Sequence, residues 1–179
     1  MLTYILHDSQ ARFASICAYS LKYHAPTTPI KLIDISTLNL LPEKQKFAPL
    51  LLARSHNDWF LCCYASILFL DSVQDLLDYT HPHKAALKVA RFELFDSPIQ
   101  LWNGEQGIQL DVETINQTND DELLNIMLSK GIGEIPNTWV NSPDCACPHA
   151  ILFADAIAEG KYTDIWLGYY EASLECSKN

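Results

Sequence analysis

The sequence predicts an α/β fold, a mostly parallel, twisted central sheet flanked by helices, in a single domain over residues 1–179. Three observations carry this expectation. TYILH (3–7), a following stretch with Phe13, Ile16, Cys17 and Leu21 on one helical face, and IKLIDI (30–35) make a β-α-β unit. YASILFL (64–70) is apolar on consecutive positions, the pattern of a strand covered on both faces of a parallel sheet. A chain of 179 residues that is 49% hydrophobic and has no long low-complexity tract suits one sizeable core.

The elements follow in order. Asp8 or Ser9 can cap the first helix, and HAPTTP (24–29) stops it with two prolines before the second strand. EKQKFAPLLLARS (43–55) reads as a helix that passes through the polar turn HND into the strand at 64–70. A short helix is expected at 74–79, with strands near KAALKVA (84–90) and SPIQLWN (97–103). Residues 111–131 read as helical with a polar break in the middle. IGEIP (132–136) and AILFA (150–154) read as strands, and the chain closes in a helix carrying Tyr162, Ile165, Trp166 and Tyr169. No internal repeat or dividing linker is visible.

Charge and composition narrow the function classes. Twelve basic against twenty-two acidic residues give a net charge of −10, which repels nucleic acid and anionic lipid. MLTYILHDSQ has no basic segment leading into a long apolar core, and no run approaches ~18 apolar residues, so a cytoplasmic protein with no membrane anchor is expected. The six cysteines then read mainly as reduced thiols. DCACPH brings Cys145, Cys147 and His149 close in sequence, but a second pair to complete a structural zinc site is absent, so a plain loop competes with a metal knuckle.

The most conspicuous candidate residue is Asp71, where the apolar run of ILFLDS ends. If 64–70 is a central strand, Asp71 stands at its carboxyl end, the edge at which open α/β sheets bind ligands. It can equally cap the helix at 74–79 or close a turn.

The ordered segments ILFLDS, SPIQLWN, IGEIPNTWVN, PHAILFAD and YTDIWLGYYE resemble glycosyltransferases of the GT-A fold. The resemblance covers roughly residues 43 to 170 and is strongest to the glycogenin-like and lipopolysaccharide-type enzymes and their bacterial and phage relatives. Each motif is short, and their shared order carries the comparison. It implies a GT-A-like domain that binds a nucleotide-diphosphate sugar, a UDP-sugar by preference, and transfers the sugar to an acceptor. In that family an aspartate-any-aspartate motif ends a core strand and holds Mn²⁺ or Mg²⁺, which stabilises the departing diphosphate as a Lewis acid.

Carried onto this chain, the resemblance makes Asp71 the first acid and metal ligand, puts Val73 where the second would stand, and puts Leu152 in place of a metal-binding histidine. AIAEG (156–160) replaces a Gly-Gly-Pro-Trp loop. The site expected on this basis has Asp71 and Asp155 in catalytic roles, with Lys46, Ser72, Asn103 and Trp139 contacting the nucleotide sugar or acceptor. Asp75 or Asp155 can supply a displaced second ligand, and Lys46, Arg91 or Lys161 can take the cation's place. A unit charge pair at about 4 Å is worth ~4 kcal/mol at an effective dielectric of 20, so losing a divalent ion costs many powers of ten in rate.

Bland readings stand beside these. Lys46 reads as a solvated helix residue, Trp102 and Trp139 as core aromatics, Asn103 as the centre of an Asx turn, and His81 and His83 as surface residues. Three functional readings remain at this stage: a glycosyltransferase with a divergent metal site, an inactive GT-A relative that binds a nucleotide or a partner protein without turnover, and an acidic module whose charged surface docks on a basic protein.

Overall fold

The computed structural model describes residues 1–8, 11–106, 108, 110–140, 149–152 and 163–176. Strand β1 (Leu2–His7) leads into helix α1 (Ala11–His24), which returns the chain to β2 (Ile30–Asp34). Both strands pair in parallel, Thr3 opposite Ile30 through His7 opposite Asp34. The two prolines near 26–29 end α1 as expected, because proline cannot continue the hydrogen-bond ladder.

Residues 43–55 are not one helix. A 3-10 helix over Pro42–Phe47 gives way to α2 (Ala48–Ala53), and Pro42 and Pro49 each stand at the start of their turn, where a missing N–H costs nothing.

The largest departure from expectation comes next. The central strand is β3 (Trp59–Tyr64), and 64–70 is split between two sheets. Ala65 N–H still donates to Leu6 O at 2.8 Å, extending the β1 ladder by one residue. The chain then turns at Ala65-Ser66 and enters β4 (Ile67–Phe69), which pairs antiparallel with β8 (Ala150–Leu152) in a separate two-stranded sheet. Two consecutive strands buried on both faces look like one long run in sequence, which is why the break was hidden.

After a 3-10 helix over Val73–Tyr79 come β5 (Ala86–Val89) and β6 (Ile99–Asn103). Helices α3 (Val112–Gln117) and α4 (Asp120–Ser129) are separated at Thr118-Asn119, where Asn119 Oδ1 accepts from Glu122 N–H and caps the second. Strand β7 (Ile132–Ile135) completes the main sheet, and α5 (Thr163–Cys176) closes the described chain.

The main sheet has the order β2-β1-β3-β6-β5-β7. Its strands run parallel except β6, which is antiparallel to both β3 and β5. One face buries Tyr4, Leu6, Phe60 and Trp102 with α2, α3 and α4; the other buries Ile5, Leu61, Leu87 and Leu101 with α1 and the β4-β8 ribbon. The ribbon's outer side is covered by Ile16 of α1 and Trp166 of α5, which pack on Leu68 and Ile151. Such two-sided cover is what the apolar runs demand. Among the described residues no helix is long and apolar enough to cross a membrane.

Candidate ligand-binding site

Strand order locates the site. From β1 the chain moves to β2 on one side, and β3 then lies on the other, so the carboxyl ends of β1 and β3 flank a topological switch point. A cavity of about 490 Å³ opens there, lined by Leu6, His7, Asp8, Phe13, Ile35, Tyr64, Ala65 and Ser66. Its size falls in the range of small-molecule sites, ~300–1,000 Å³.

Each lining residue is placed by its element. Leu6 and His7 end β1, Ile35 follows the last residue of β2, Tyr64 ends β3, and Phe13 descends from the first turn of α1. Tyr64 is held in position because its hydroxyl donates to Phe95 O at 3.0 Å. Burial, reinforced by Cys62 and Asp96, pushes its phenol up to about 12, so it is neutral at physiological pH. His7 Nδ1 lies 2.6 Å from Asp8 O. A carbonyl only accepts, so Nδ1 carries the proton of that bond. At the end of β2, Asp34 Oδ1 accepts from Ser36 N–H at 3.0 Å and from Ser36 Oγ at 2.6 Å. Those bonds, with His7 nearby, hold its carboxyl below the usual range.

Of the residues expected from sequence, Asp71, Ser72 and Trp139 meet around His149, while Asn103 and Lys46 make their contacts elsewhere. Asp71 ends no strand of the main sheet. It follows the β4 strand, which runs back along α1 so that Phe69 N–H meets Ser20 Oγ at 3.0 Å near the end of that helix. There Asp71 Oδ2 lies 3.1 Å from His149 Nδ1, and Oδ1 accepts from Ser72 N–H at 2.7 Å. These bonds, that from Ser72 first, lower its carboxyl pKa. Ser72 is the helix cap: its Oγ accepts from Gln74 N–H.

Asn103 pairs with Trp59, the first residue of β3, and so stands at the amino end of that strand, away from the cavity. It is buried, donating to Lys84 O and accepting from Glu105 N–H, an Asx turn. Trp139 is buried and stacks on His149 at 4.4 Å between ring centroids. Trp102 is buried too, with Nε1 donating to Gln100 Oε1. Lys46 is tied to Asp120 at 2.7 Å, beside the buried Lys44 that holds the other carboxylate oxygen at 2.6 Å. Asp75 is on the 3-10 helix after β4. Asp155, Lys161, Cys145 and Cys147 lie outside the described residues.

The metal expected from the resemblance can be tested against the donors present. The resemblance puts the carboxylate pair at Asp71 and Val73, and Asp71 follows β4, while the end of β3 beside the cavity reads Tyr64-Ala65-Ser66. The position of the expected histidine is Leu152, which pairs with Ile67, the residue after Ser66, and so is brought to the cavity side of the ribbon. A phenol, a hydroxyl and an alkyl chain do not make a hard-cation site, which needs several carboxylate or carbonyl oxygens. Among the described residues no three His, Cys, Asp or Glu side chains group to hold a metal ion.

The architecture, a mostly parallel sheet with one reversed strand, a switch point at β1/β3 and a small ribbon packed across α1, is that of the GT-A glycosyltransferase fold. Three solved structures illustrate the likeness. The galactosyltransferase LgtC in complex with donor and acceptor sugar analogues superposes with a TM-score of 0.67 at 13% identity, over 96% of each chain. The apo glycosyltransferase GlyE of Streptococcus pneumoniae TIGR4 gives 0.66 at 12% identity, over 97% of this chain and 62% of its own. The bifunctional WbbM gives 0.61 at 11% identity, over 86% of this chain and 45% of its own. No protein-family model matches the chain, and no curated protein sequence does.

Proposed function

We propose that this chain is a nucleotide-sugar-binding protein built on the glycosyltransferase fold, which holds its ligand in the β1/β3 cavity and does not use a divalent metal there. One observation carries the reading. The switch-point edge of the sheet keeps an open cavity of about 490 Å³, while the end of β3 that borders it reads Tyr64-Ala65-Ser66 and offers no carboxylate. Binding volume and fold support a ligand of nucleotide class; the donor set argues against metal-assisted departure of a diphosphate.

The residues of the cavity divide the work of binding. Phe13, Ile35 and Tyr64 supply apolar and aromatic wall against which a flat ring can lie, and Tyr64 keeps its orientation through Phe95. His7, Asp8 and Ser66 supply polar contacts that fix orientation. The alternative of an acidic protein-docking module rests on the net charge alone and has no local feature behind it.

The test is to incubate the full chain with a panel of UDP-sugars, with and without Mn²⁺, and to follow bound ligand and released UDP together. Binding without Mn²⁺-stimulated release is expected. Stimulated release would make the chain a metal-dependent transferase instead.

A further inference from the structure

We propose that the groove between α1 and α5 is a second binding site, which takes a small soluble molecule carrying a quaternary ammonium group, of the choline class. It lies apart from the β1/β3 cavity and does not depend on the nucleotide reading. Three observations point to it.

The first is a set of aromatic walls around open space. A cavity of about 320 Å³ is lined by Tyr19 and Tyr23 of α1 and by Ile165, Gly168, Tyr169 and Ala172 of α5. That volume stands at the lower end of small-molecule sites, ~300–1,000 Å³. The Tyr169 ring meets Tyr19 at 6.3 Å between centroids and 70° between planes, and Tyr23 at 6.0 Å and 88°. Walls at near right angles make a corner, in which a cation meets the electron-rich faces of more than one ring. The floor is open as well, since a Cβ added at Gly168 would meet nothing within 4 Å. Tyr169 is held in place by its hydroxyl, 2.8 Å from His24 Nε2, so this wall is ordered before a ligand arrives.

The second is charge. Helix α5 carries Asp164, Glu171 and Glu175, all exposed, and neither lysine nor arginine. Gly168 lies four residues after Asp164 and three before Glu171, and Ala172 three before Glu175, so helical spacing sets the acids along the rim of the lining stripe. The cations of α1 have partners of their own: Arg12 lies over the Tyr170 ring at 4.5 Å, and Lys22 Nζ donates to Pro26 O at 3.1 Å and to Thr28 O at 2.6 Å. His24 acts as a positive charge on Asp71 when protonated, but burial lowers its pKa below the ordinary 6.5, and above that pH it is neutral.

The third is what the lining lacks. Tyrosine, isoleucine, glycine and alanine put no carboxylate inside the groove, so the N–H donors of a primary ammonium or a guanidinium find only phenol oxygens there. A quaternary ammonium has no N–H to satisfy, and its methyl groups pack on Ile165, Ala172 and the rings. Acids at the rim then attract the charge without having to bind it directly.

The experiment is calorimetric titration of the full chain, at about pH 8 where histidine is neutral, with choline and with its neutral tert-butyl isostere. Choline is expected to bind at least about tenfold more tightly than the isostere, as for a cation over several partly desolvated rings. Tyr23→Leu and Tyr169→Leu should each abolish that preference, Tyr169→Phe, which keeps the ring, should retain it, and Glu171→Gln should weaken choline alone. Tyr23 is 68% exposed, so its replacement leaves the fold intact. Ser66→Phe, in the other cavity, should leave choline binding unchanged. Equal affinity for the isostere, no binding of choline at millimolar concentration, or a preference that survives Tyr23→Leu overturns the proposal.

Discussion

Asp71 Oδ2 stands 3.1 Å from His149 Nδ1, and the backbone beside them is joined as well, Leu70 N–H donating to His149 O at 2.9 Å. The acid that ends the most conspicuous apolar run of the sequence therefore extends the pairing of the β4-β8 ribbon. It sits by the end of α1, near His24, whereas the cavity opens by the start of that helix. Asp71→Asn should accordingly change stability by no more than about 1 kcal/mol, as for a solvent-accessible ion pair. Urea denaturation of the two proteins checks this, and a loss several times larger would show that the pair organises more than the ribbon.

Thr3 Oγ1 is fully buried on β1 without a hydrogen-bond partner. Valine has nearly the same shape and no hydroxyl to desolvate. Thr3→Val is expected to raise stability by about 1 kcal/mol, read as a higher urea midpoint with an unchanged slope. A fall in the midpoint would mean that the hydroxyl is satisfied in solution.

A Cβ added at Gly104 would come 2.3 Å from His56 O and 2.4 Å from His56 C, both backbone atoms. Neither can swing aside as a side chain does. Gly104→Ala should cost about 1–3 kcal/mol, and an unchanged midpoint would show that the turn after β6 shifts freely.

Lys44 and Lys46 grip one carboxylate from different depths. The Lys44 side chain is 9% exposed and also donates to Thr118 O at 2.6 Å, whereas Lys46 is 41% exposed. Lys44→Ala is expected to cost about 2 kcal/mol and Lys46→Ala no more than about 1 kcal/mol. Equal losses would contradict the difference in burial, and a large effect of Lys46→Ala on ligand binding would restore it to the site.

Burial lowers the pKa of both His24 and His56 below the ordinary 6.5, with Lys31 adding to the effect at His56. The unfolded chain then binds more protons than the folded one just below pH 6.5, so stability falls as pH drops through that window. Thermal melts at stepped pH should show this fall, and His24→Gln with His56→Gln should flatten it. A melt that rises on acidification through the same window would reverse the sign.

Much of the architecture is legible in the sequence, because β1, α1 and β2 each carry a clean periodicity and prolines punctuate them. The break of the long polar helix at Thr118-Asn119 is legible for the same reason: Asn119 is a strong cap. What is not legible is the end of the central strand. Trp59 to Phe69 contains no glycine or proline, and the turn at Ala65-Ser66 is imposed by tertiary pairing, Ala65 to Leu6 on one side and Ile67 to Leu152 on the other. Without that break Asp71 looks like the end of β3, whereas it follows β4. The signal available was the run WFLCCY, as apolar as the one after it, which ends at Tyr64 beside the cavity.

The placement of the ligand at the β1/β3 edge is tested most directly by titrating UDP-sugars into two variants, Ser66→Phe, which fills the cavity from its rim, and Asp71→Asn. Circular dichroism of each verifies that it is folded. The account predicts that Ser66→Phe loses binding and that Asp71→Asn keeps the affinity of the unmodified chain. Retained binding in Ser66→Phe together with its loss in Asp71→Asn would contradict it and return the site to the end of β4.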